Sequence, residues 1–583
     1  MRAFIENYSA DRDTLESVYA DPLSPASRER AARFLADSRQ QLAAVDFAAL
    51  DQEGKADYLL MANLLTREEH RMTRAAKLWN EVEPLLPCAP TIFALEDAKR
   101  QVETPNGEKI ANQLNAMTAA LTARRKELEA SLAKDSATES ARPAPFTAWR
   151  AAGDIDRLRE HLHHWFEFYN GYDPSFTWWA ALPYKKADDA MKDYSTFLRE
   201  KVAGIAPDDK SGAPGDASAT ASSPGWNTPI IGTPVGRDAL LAQLSDEMIP
   251  YTPEELIAMA KEQMVWCKQQ MLEASHDLGY GDDWHKALEH VKDTYVEPGK
   301  QPQLIHDLAV EGTEFAEKNN FVTVPDLAKE TWRMEMMTPE RQLVNPFFTG
   351  GDTISVSYPT DTMTFDQRMM SMRGNNPAFS HATVFHELIP GHWLQQYMNT
   401  RYRPYRQLFD TGFWIEGNAF YWEMVYWDHG FDATPEQRIG ALFWRMHRCA
   451  RIIFSLSFHL GLMTPQQAVD FLVDEVGHER DNAAAEVRRS VNGSYDPLYQ
   501  CAYMLGALQF RALHHELVDS GKMTDRQYHD AILHENTMPI EVLRAILTDQ
   551  KLTPDFKSSW RFLDELNAAP FKDGRAPAQP PHN

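Results

Sequence analysis

Cysteine is scarce in this chain of 583 residues: the four present, Cys88, Cys267, Cys449 and Cys501, are scattered and form no C-x-x-C pair. Neither a disulfide framework nor a cysteine-rich zinc site is indicated on that ground. No run of about 18 apolar residues occurs, so no membrane span is expected. Positive charge is short as well, with 59 Lys and Arg against 84 Asp and Glu and a net charge of −25. That balance argues against nucleic acid or an anionic membrane as partner. The opening residues, Met1 to Glu6, lack the apolar core of a signal peptide. The chain therefore reads as cytoplasmic as written, or as periplasmic or secreted if a leader has been removed. No internal repeat is visible, and nothing in the sequence fixes an oligomeric state.

What is present is helical patterning in a well-packed chain, 43% apolar with 15 Trp, long enough for two to four domains. Residues from about 11 to 203 show 3.6-type apolar spacing, clearest at 112–134, where Leu114, Met117, Leu121 and Leu128 share a face. Composition then shifts to Pro207, Gly212, Pro214, Gly215 and a Ser/Ala/Thr run, which predicts a flexible loop. The chain thus divides into an N-terminal helical lobe (1–205), the loop (206–226) and a metal-binding region (227–583). The last could be continuous with the first. Thr252, Thr434 and Thr464 each precede Pro and stand three residues before Glu or Gln, a capping box with Pro at the first helical position. One strand is expected at 353–358, ending at Pro359. It reads either as an edge for a substrate backbone, with Tyr358 in contact, or as a structural hairpin strand.

The chemistry gathers at Phe385-His386-Glu387-Leu388-Ile389-Pro390-Gly391-His392, followed after an interval by Glu416-Gly417. A zincin helix carries H-E-x-x-H, two imidazoles on one face with the glutamate as base. Here the second histidine comes two positions late, about 120° around an undistorted helix, where it could not share an ion. Pro390 lacks an N–H and opposes a carbonyl one turn back, and Gly391 tolerates unusual backbone angles, so a break is expected there. Such a break would return His392 to His386. The remaining His-Glu dipeptides have no second histidine at ligand spacing, and His478-Glu479-Arg480-Asp481 reads as a charged structural turn.

From about residue 252 to 547 the chain resembles the bacterial domain-of-unknown-function 885 family. The resemblance is carried by Val356-Ser357-Tyr358-Pro359-Thr360, Met372-Arg373-Gly374-Asn375-Asn376-Pro377, the His386–His392 motif and Trp414-Ile415-Glu416-Gly417. Phe443-Trp444-Arg445-Met446-His447-Arg448, Gly477-His478-Glu479-Arg480-Asp481-Asn482 and Tyr503-Met504-Leu505-Gly506 extend it. Gly171-Tyr172-Asp173-Pro174 matches more loosely in the N-terminal half. The chain departs from the family pattern at Asn418, where members often have Trp, and at Ser455, where many have Asp. The resemblance implies a mainly α protein: two helical lobes around a deep cleft in the manner of a zinc-peptidase clamshell, with a small β element beside the metal-binding helix. It implies a metal-dependent hydrolase of the gluzincin kind and names no substrate.

His386, His392 and Glu416 would then hold one Zn²⁺, with Glu387 as the base that activates water and passes its proton to the leaving amine. Glu423, two turns beyond Glu416, would orient a ligand imidazole or remain a solvated helix charge. Arg448, Arg451, Ser455 and His459 make a polar stripe on an apolar helix, suited to a substrate carboxylate or to an internal ion-pair network. Tyr503 and His529 are candidate donors to an oxyanion, and Arg511 a candidate carboxylate anchor. The expected activity is hydrolysis of peptide bonds in short peptides by an exopeptidase or dipeptidase. A metal-dependent amidase or esterase, or a noncatalytic peptide-binding protein, is the alternative.

Overall fold

The computed structural model describes residues 1–19, 21–132, 142–205, 229–338, 341–342 and 349–564. The loop expected at 206–226 lies outside them. Among the described residues the protein is mainly helical, with a single two-stranded sheet. No helix among them is long and apolar enough to cross a membrane.

Apolar side chains collect in two large cores. Helices Ala89–Arg100, Gly107–Leu132, Pro145–Tyr169 and Pro174–Phe197 enclose one, with Leu114, Ile155, Leu158 and Met191 fully buried. The other unites Ile5, Leu35 and Leu60 near the N-terminus with side chains from residue 240 to 563. Helix α1 (Gln52–Val82) belongs to both: Leu59, Leu60 and Leu64 pack into the larger core, Trp79 and Val82 into the smaller. At 1.5 Å per residue its 31 residues span about 46 Å, which is why one helix serves two cores.

The elements that carry the site lie in the larger core. They are α2 (Pro377–Glu387), α3 (His392–Asn399), α4 (Gly412–Asp428), α5 (Pro435–His459), α6 (Arg480–Val491) and α7 (Tyr499–His514). The capping boxes expected at Thr252, Thr434 and Thr464 all form, and Thr364 and Thr524 add two more. Helix α5 is buried on nearly every side, as a helix apolar all round must be, and it carries Arg445, Arg448 and Arg451 inward with its core residues. Helices α4 and α7 approach backbone to backbone, because Gly417 faces Gly506: a Cβ on Gly417 would lie 2.5 Å from the Gly506 Cα. That closeness sets Glu416 beside the tyrosines of α7.

The strand expected at 353–358 is shorter. It forms β2 (Thr353–Val356), pairing in parallel with β1 (Arg333–Met336) from Arg333↔Thr353 to Met336↔Val356. Its other side is taken at Ser355 by Thr349, through an N–H···O of 2.9 Å and a return bond of 3.3 Å. With both sides occupied there, β2 offers no free edge at Ser355 to a substrate backbone. The segment that does reach the site is the turn Thr349-Gly350 just before it.

Candidate metal centre

Helix α2 begins cleanly, with Asn376 accepting from the Phe379 N–H at 3.0 Å and Pro377 in the first position. It ends at Glu387. Leu388 leaves the helical region (φ −113°, ψ −101°), the Ile389–Pro390 bond is cis, and α3 restarts at His392. The break is closed by Gly391 N–H donating to the Phe385 carbonyl at 3.0 Å and Leu394 N–H to Leu388 at 3.2 Å. Only glycine fits at 391. The expected interruption is therefore present, and it brings the rings of His386 and His392 to 4.9 Å between centroids, nearly perpendicular at 87°.

Both imidazoles turn Nε2 toward the same oxygen. Glu416 Oε2 lies 3.7 Å from His386 Nε2 and 3.3 Å from His392 Nε2. One atom from each of the three side chains falls within 4.8 Å of the others. Ligand atoms held tetrahedrally at ~2.0–2.1 Å from an ion stand about 3.3 Å apart, so these separations match a two-nitrogen, one-oxygen zinc set. Glu416 Oε2 is buried and has no hydrogen-bond partner among the described residues, a cost that an ion at this point would remove. The residues fit a divalent metal.

Supporting contacts hold each ligand from behind. Glu423, buried on α4, faces His386 Nδ1 at 2.7 Å, so it orients that imidazole and is no solvated charge. Tyr499 donates its hydroxyl to Glu416 Oε1 at 2.6 Å. Gln395 Oε1 stands 3.4 Å from His392 Nδ1, and its amide donates to Asn418 Oδ1 at 3.0 Å. Asn418, a departure from the family pattern, therefore steadies the second histidine indirectly. Burial works against the charged form of His386, yet the Glu416 and Glu423 carboxylates outweigh it and lift the imidazole to about 9. Burial would likewise raise Glu416, but His392 and His386 hold it well below the ordinary carboxylate range.

Glu387 follows His386 and lines the same cavity, of about 380 Å³. Burial pushes its carboxyl above the ordinary value, against the lowering influence of the two histidines. Gly350 lies directly against it: a Cβ there would meet Glu387 Oε2 at 2.5 Å. Arg448, Arg451, Arg489, His447, Tyr495, Tyr499 and Tyr503 also line the cavity. The Tyr503 ring stacks near His386 (centroids 6.3 Å apart, 17°), and its hydroxyl lies 3.4 Å from that of Tyr499. Burial lifts the Tyr503 phenol to about 12, so it remains a hydrogen-bond donor at neutral pH.

Other expected site residues lie elsewhere. His529 is buried beside Trp422, with Nε2 bonded to the Tyr421 hydroxyl at 3.0 Å and Nδ1 to the Phe321 carbonyl at 2.9 Å. Both nitrogens are used, and it cannot reach an oxyanion in the cavity. Arg511 pairs with Asp428 at 2.6 Å, because eight residues beyond Tyr503 is about 80° off the face of α7 that Tyr503 occupies. Tyr358 has left β2, and its hydroxyl meets the Met336 sulfur outside the cavity lining. Ser455 donates to the Pro497 carbonyl at 3.2 Å, and His459 is buried outside the cavity lining, so the α5 stripe reaches the cavity only through its two arginines. His478 bonds His447 Nδ1 at 2.8 Å and Glu479 pairs with Lys292 at 3.1 Å, the structural turn that was expected. Sequence reasoning missed Tyr499, Glu486 and Arg489. Tyr499 stands one turn before Tyr503 on the same face, a signal available in the sequence. Arg489 and Glu486 sit on a separate helix and had none.

The protein is thus a mainly helical one with a largely buried His/His/Glu grouping in an arginine- and tyrosine-lined cavity. It belongs to the family of bacterial proteins of unknown function designated DUF885, whose pattern matches residues 9–547. Its fold is similar to that of a candidate lipoprotein of unknown function from Shewanella oneidensis. That protein is 16% identical with a TM-score of 0.68, over 94% of this chain and 100% of the other. A candidate lipoprotein from Colwellia psychrerythraea is similar at 15% identity and a TM-score of 0.55, over 90% of this chain and 91% of its own. No functionally curated protein matches.

Proposed function

We propose that this protein is a metal-dependent hydrolase of the gluzincin type, cleaving peptide bonds in short peptides as an exopeptidase or dipeptidase. The observation that carries the reading is the convergence of His386 Nε2, His392 Nε2 and Glu416 Oε2 on one point, with Glu387 on the adjoining wall. A Zn²⁺ ion held by those three residues would supply Lewis acidity, polarising the scissile carbonyl and making water a nucleophile near neutral pH. Glu387 takes a proton from the attacking water at its carboxylate and returns it to the leaving amine. Tyr503 donates its hydroxyl toward the carbonyl oxygen as negative charge develops there. Glu423 fixes which nitrogen of His386 faces the centre. A cavity of this volume, at the lower end of the range for ligand pockets, favours short substrates in a helical clamshell over folded proteins. The likeness to lipoproteins supports a location outside the cytoplasm.

The test is a peptide-library digest read by mass spectrometry, with and without chelator, on the zinc-loaded chain and its Glu387→Gln variant. Cleavage that stops with chelator and with Glu387→Gln, while the variant still binds zinc, supports the reading. Peptide binding without cleavage would point to a noncatalytic binding protein. Turnover confined to non-peptide amides or esters would make it an amidase or esterase.

A further inference from the structure

We propose that Arg448 and Arg489 form a subsite, facing the His386/His392/Glu416 centre, that binds the free α-carboxylate at the C-terminus of a short peptide. The assignment deepens the hydrolase reading and rests on it for what occupies the rest of the cavity. Three guanidinium groups, those of Arg448, Arg451 and Arg489, line the cavity. Glu486, which does not line the cavity, answers two of them. It accepts from Arg451 Nε at 2.6 Å, pairs with Arg489, and accepts from the Gln500 amide at 2.9 Å. Both of its oxygens are engaged by these partners. Arg448 has no ion pair among the described residues, although the residue is only 7% exposed, and its Nε is buried without a hydrogen bond. Arg451 Nη1 is also buried and unbonded.

A desolvated guanidinium without an ion-pair partner is costly, and the rings of Tyr503, Trp444 and Phe420, 4.3, 5.5 and 5.9 Å from the Arg448 Cζ, compensate only in part. A planar carboxylate received by the guanidinium fork supplies the missing charge and two strong hydrogen bonds together. The cavity lining thus holds three guanidinium groups together with the carboxylates Glu387 and Glu416, and the Arg448 charge is felt at Glu387. Distance selects the source of the carboxylate. The ring of Tyr503 adjoins both Arg448 and His386, 4.3 Å from the Arg448 Cζ and 6.3 Å between centroids from the His386 imidazole. One or two residues of extended chain, at about 3.5 Å each, cover that interval. A scissile carbonyl at the metal centre would thus put the terminal carboxylate of the next residue or two at the arginines. Arg489 reaches the same cavity from α6, beside Tyr495, with Cζ 5.6 Å from that ring.

The experiment uses the full chain with chelator present, so that binding is read apart from turnover. Three pools of di- and tripeptides are titrated by calorimetry: free C-terminal acids, the same sequences amidated, and amidated sequences bearing Asp or Glu side chains. The acid pool is expected to bind about tenfold or more tightly than its amidated twin, and the difference to vanish in Arg448→Gln and in Arg489→Gln. Arg448→Lys should recover part of it. Equal binding of acids and amides overturns the assignment. So does acid preference that survives both substitutions, or equal binding by the amidated acidic peptides, which would move recognition to side chains. Should Arg448→Gln fail to fold, Arg489→Gln decides, since 32% of that side chain reaches solvent. If the zinc-loaded chain cleaves nothing while the acid preference holds, the hydrolase reading fails and the subsite stands.

Discussion

The carbonyl oxygen of His386 occupies the space where a side chain at position 391 would begin: a Cβ on Gly391 would lie 1.8 Å from it. The two residues are joined by the break that turns an H-E-x4-H sequence into two imidazoles aimed at one point. Any substituent at 391 must push the start of α3 away from the end of α2. Gly391→Ala should therefore weaken zinc binding by about tenfold to a hundredfold or more, with helix content by circular dichroism little changed. Competition titration against a fluorescent chelator measures it. Unaltered affinity would show that the break tolerates a Cβ and that its geometry has been misjudged.

Glu423 tests the support behind the first ligand. Its carboxylate stands 2.7 Å from His386 Nδ1. Glu423→Gln keeps an oxygen acceptor but removes the charge, and Glu423→Ala removes both. Losses in zinc affinity of about tenfold and about a hundredfold are expected in that order. Equal losses in the two variants would mean that the charge alone matters, and no loss in either would make the contact incidental.

Gly417 and Gly506 let α4 and α7 touch. A Cβ on Gly506 would come within 2.0 Å of the Phe413 carbonyl oxygen, in helix backbone that cannot easily move aside. Gly506→Ala should lower stability by about 1–3 kcal/mol or more through overpacking. It should also separate Tyr499 from Glu416, now 2.6 Å apart, and so weaken metal binding further. Urea melts with and without zinc separate the two effects, because a purely packing defect would leave the zinc-induced stabilisation unchanged.

The meeting of His386 and His392 was legible because their spacing is chemical information written locally: two histidines, a glutamate and a breaker between them. The capping boxes were legible for the same reason, each needing only four consecutive residues. Tertiary packing hid the rest. Whether Glu423 was solvated or buried depended on α4 being covered on all sides, which its own residues do not state. Arg448 and Arg451 could be read as an unusual charge on an apolar helix, but the partner that distinguishes them, Glu486 on α6, is brought in by the fold. Arg511 and His529 failed on geometry. The first is rotated off the Tyr503 face, and the second has both nitrogens engaged with a hydroxyl and a carbonyl in the aromatic core. The strand at 353 was correctly placed in the chain, yet nothing in its alternation revealed that Thr349 would cover its free side.

Glu247 carries a stability signature that is independent of the metal centre. It accepts from the Thr411 hydroxyl at 2.5 Å, and Thr411 caps α4 by accepting from the Phe413 N–H at 3.2 Å. Burial raises the Glu247 carboxyl from the ordinary value of 4.5 to about 7, against the opposing Thr411 hydrogen bond and Arg67 charge. The folded state thus holds a proton that the unfolded chain releases. Below pH 4.5 both states are protonated and the group costs nothing. As pH rises toward 7 the unfolded chain ionises first, so stability falls across that window and stays reduced above it. Glu247→Gln keeps an acceptor for Thr411 and removes the ionisation. The variant should match the parent near pH 4 and exceed it by ~2–3 kcal/mol at pH 8. Chemical denaturation at both pH values gives the difference directly. A variant that is less stable than the parent at pH 8 would mean that the charged carboxylate is favourably solvated or paired in the folded protein.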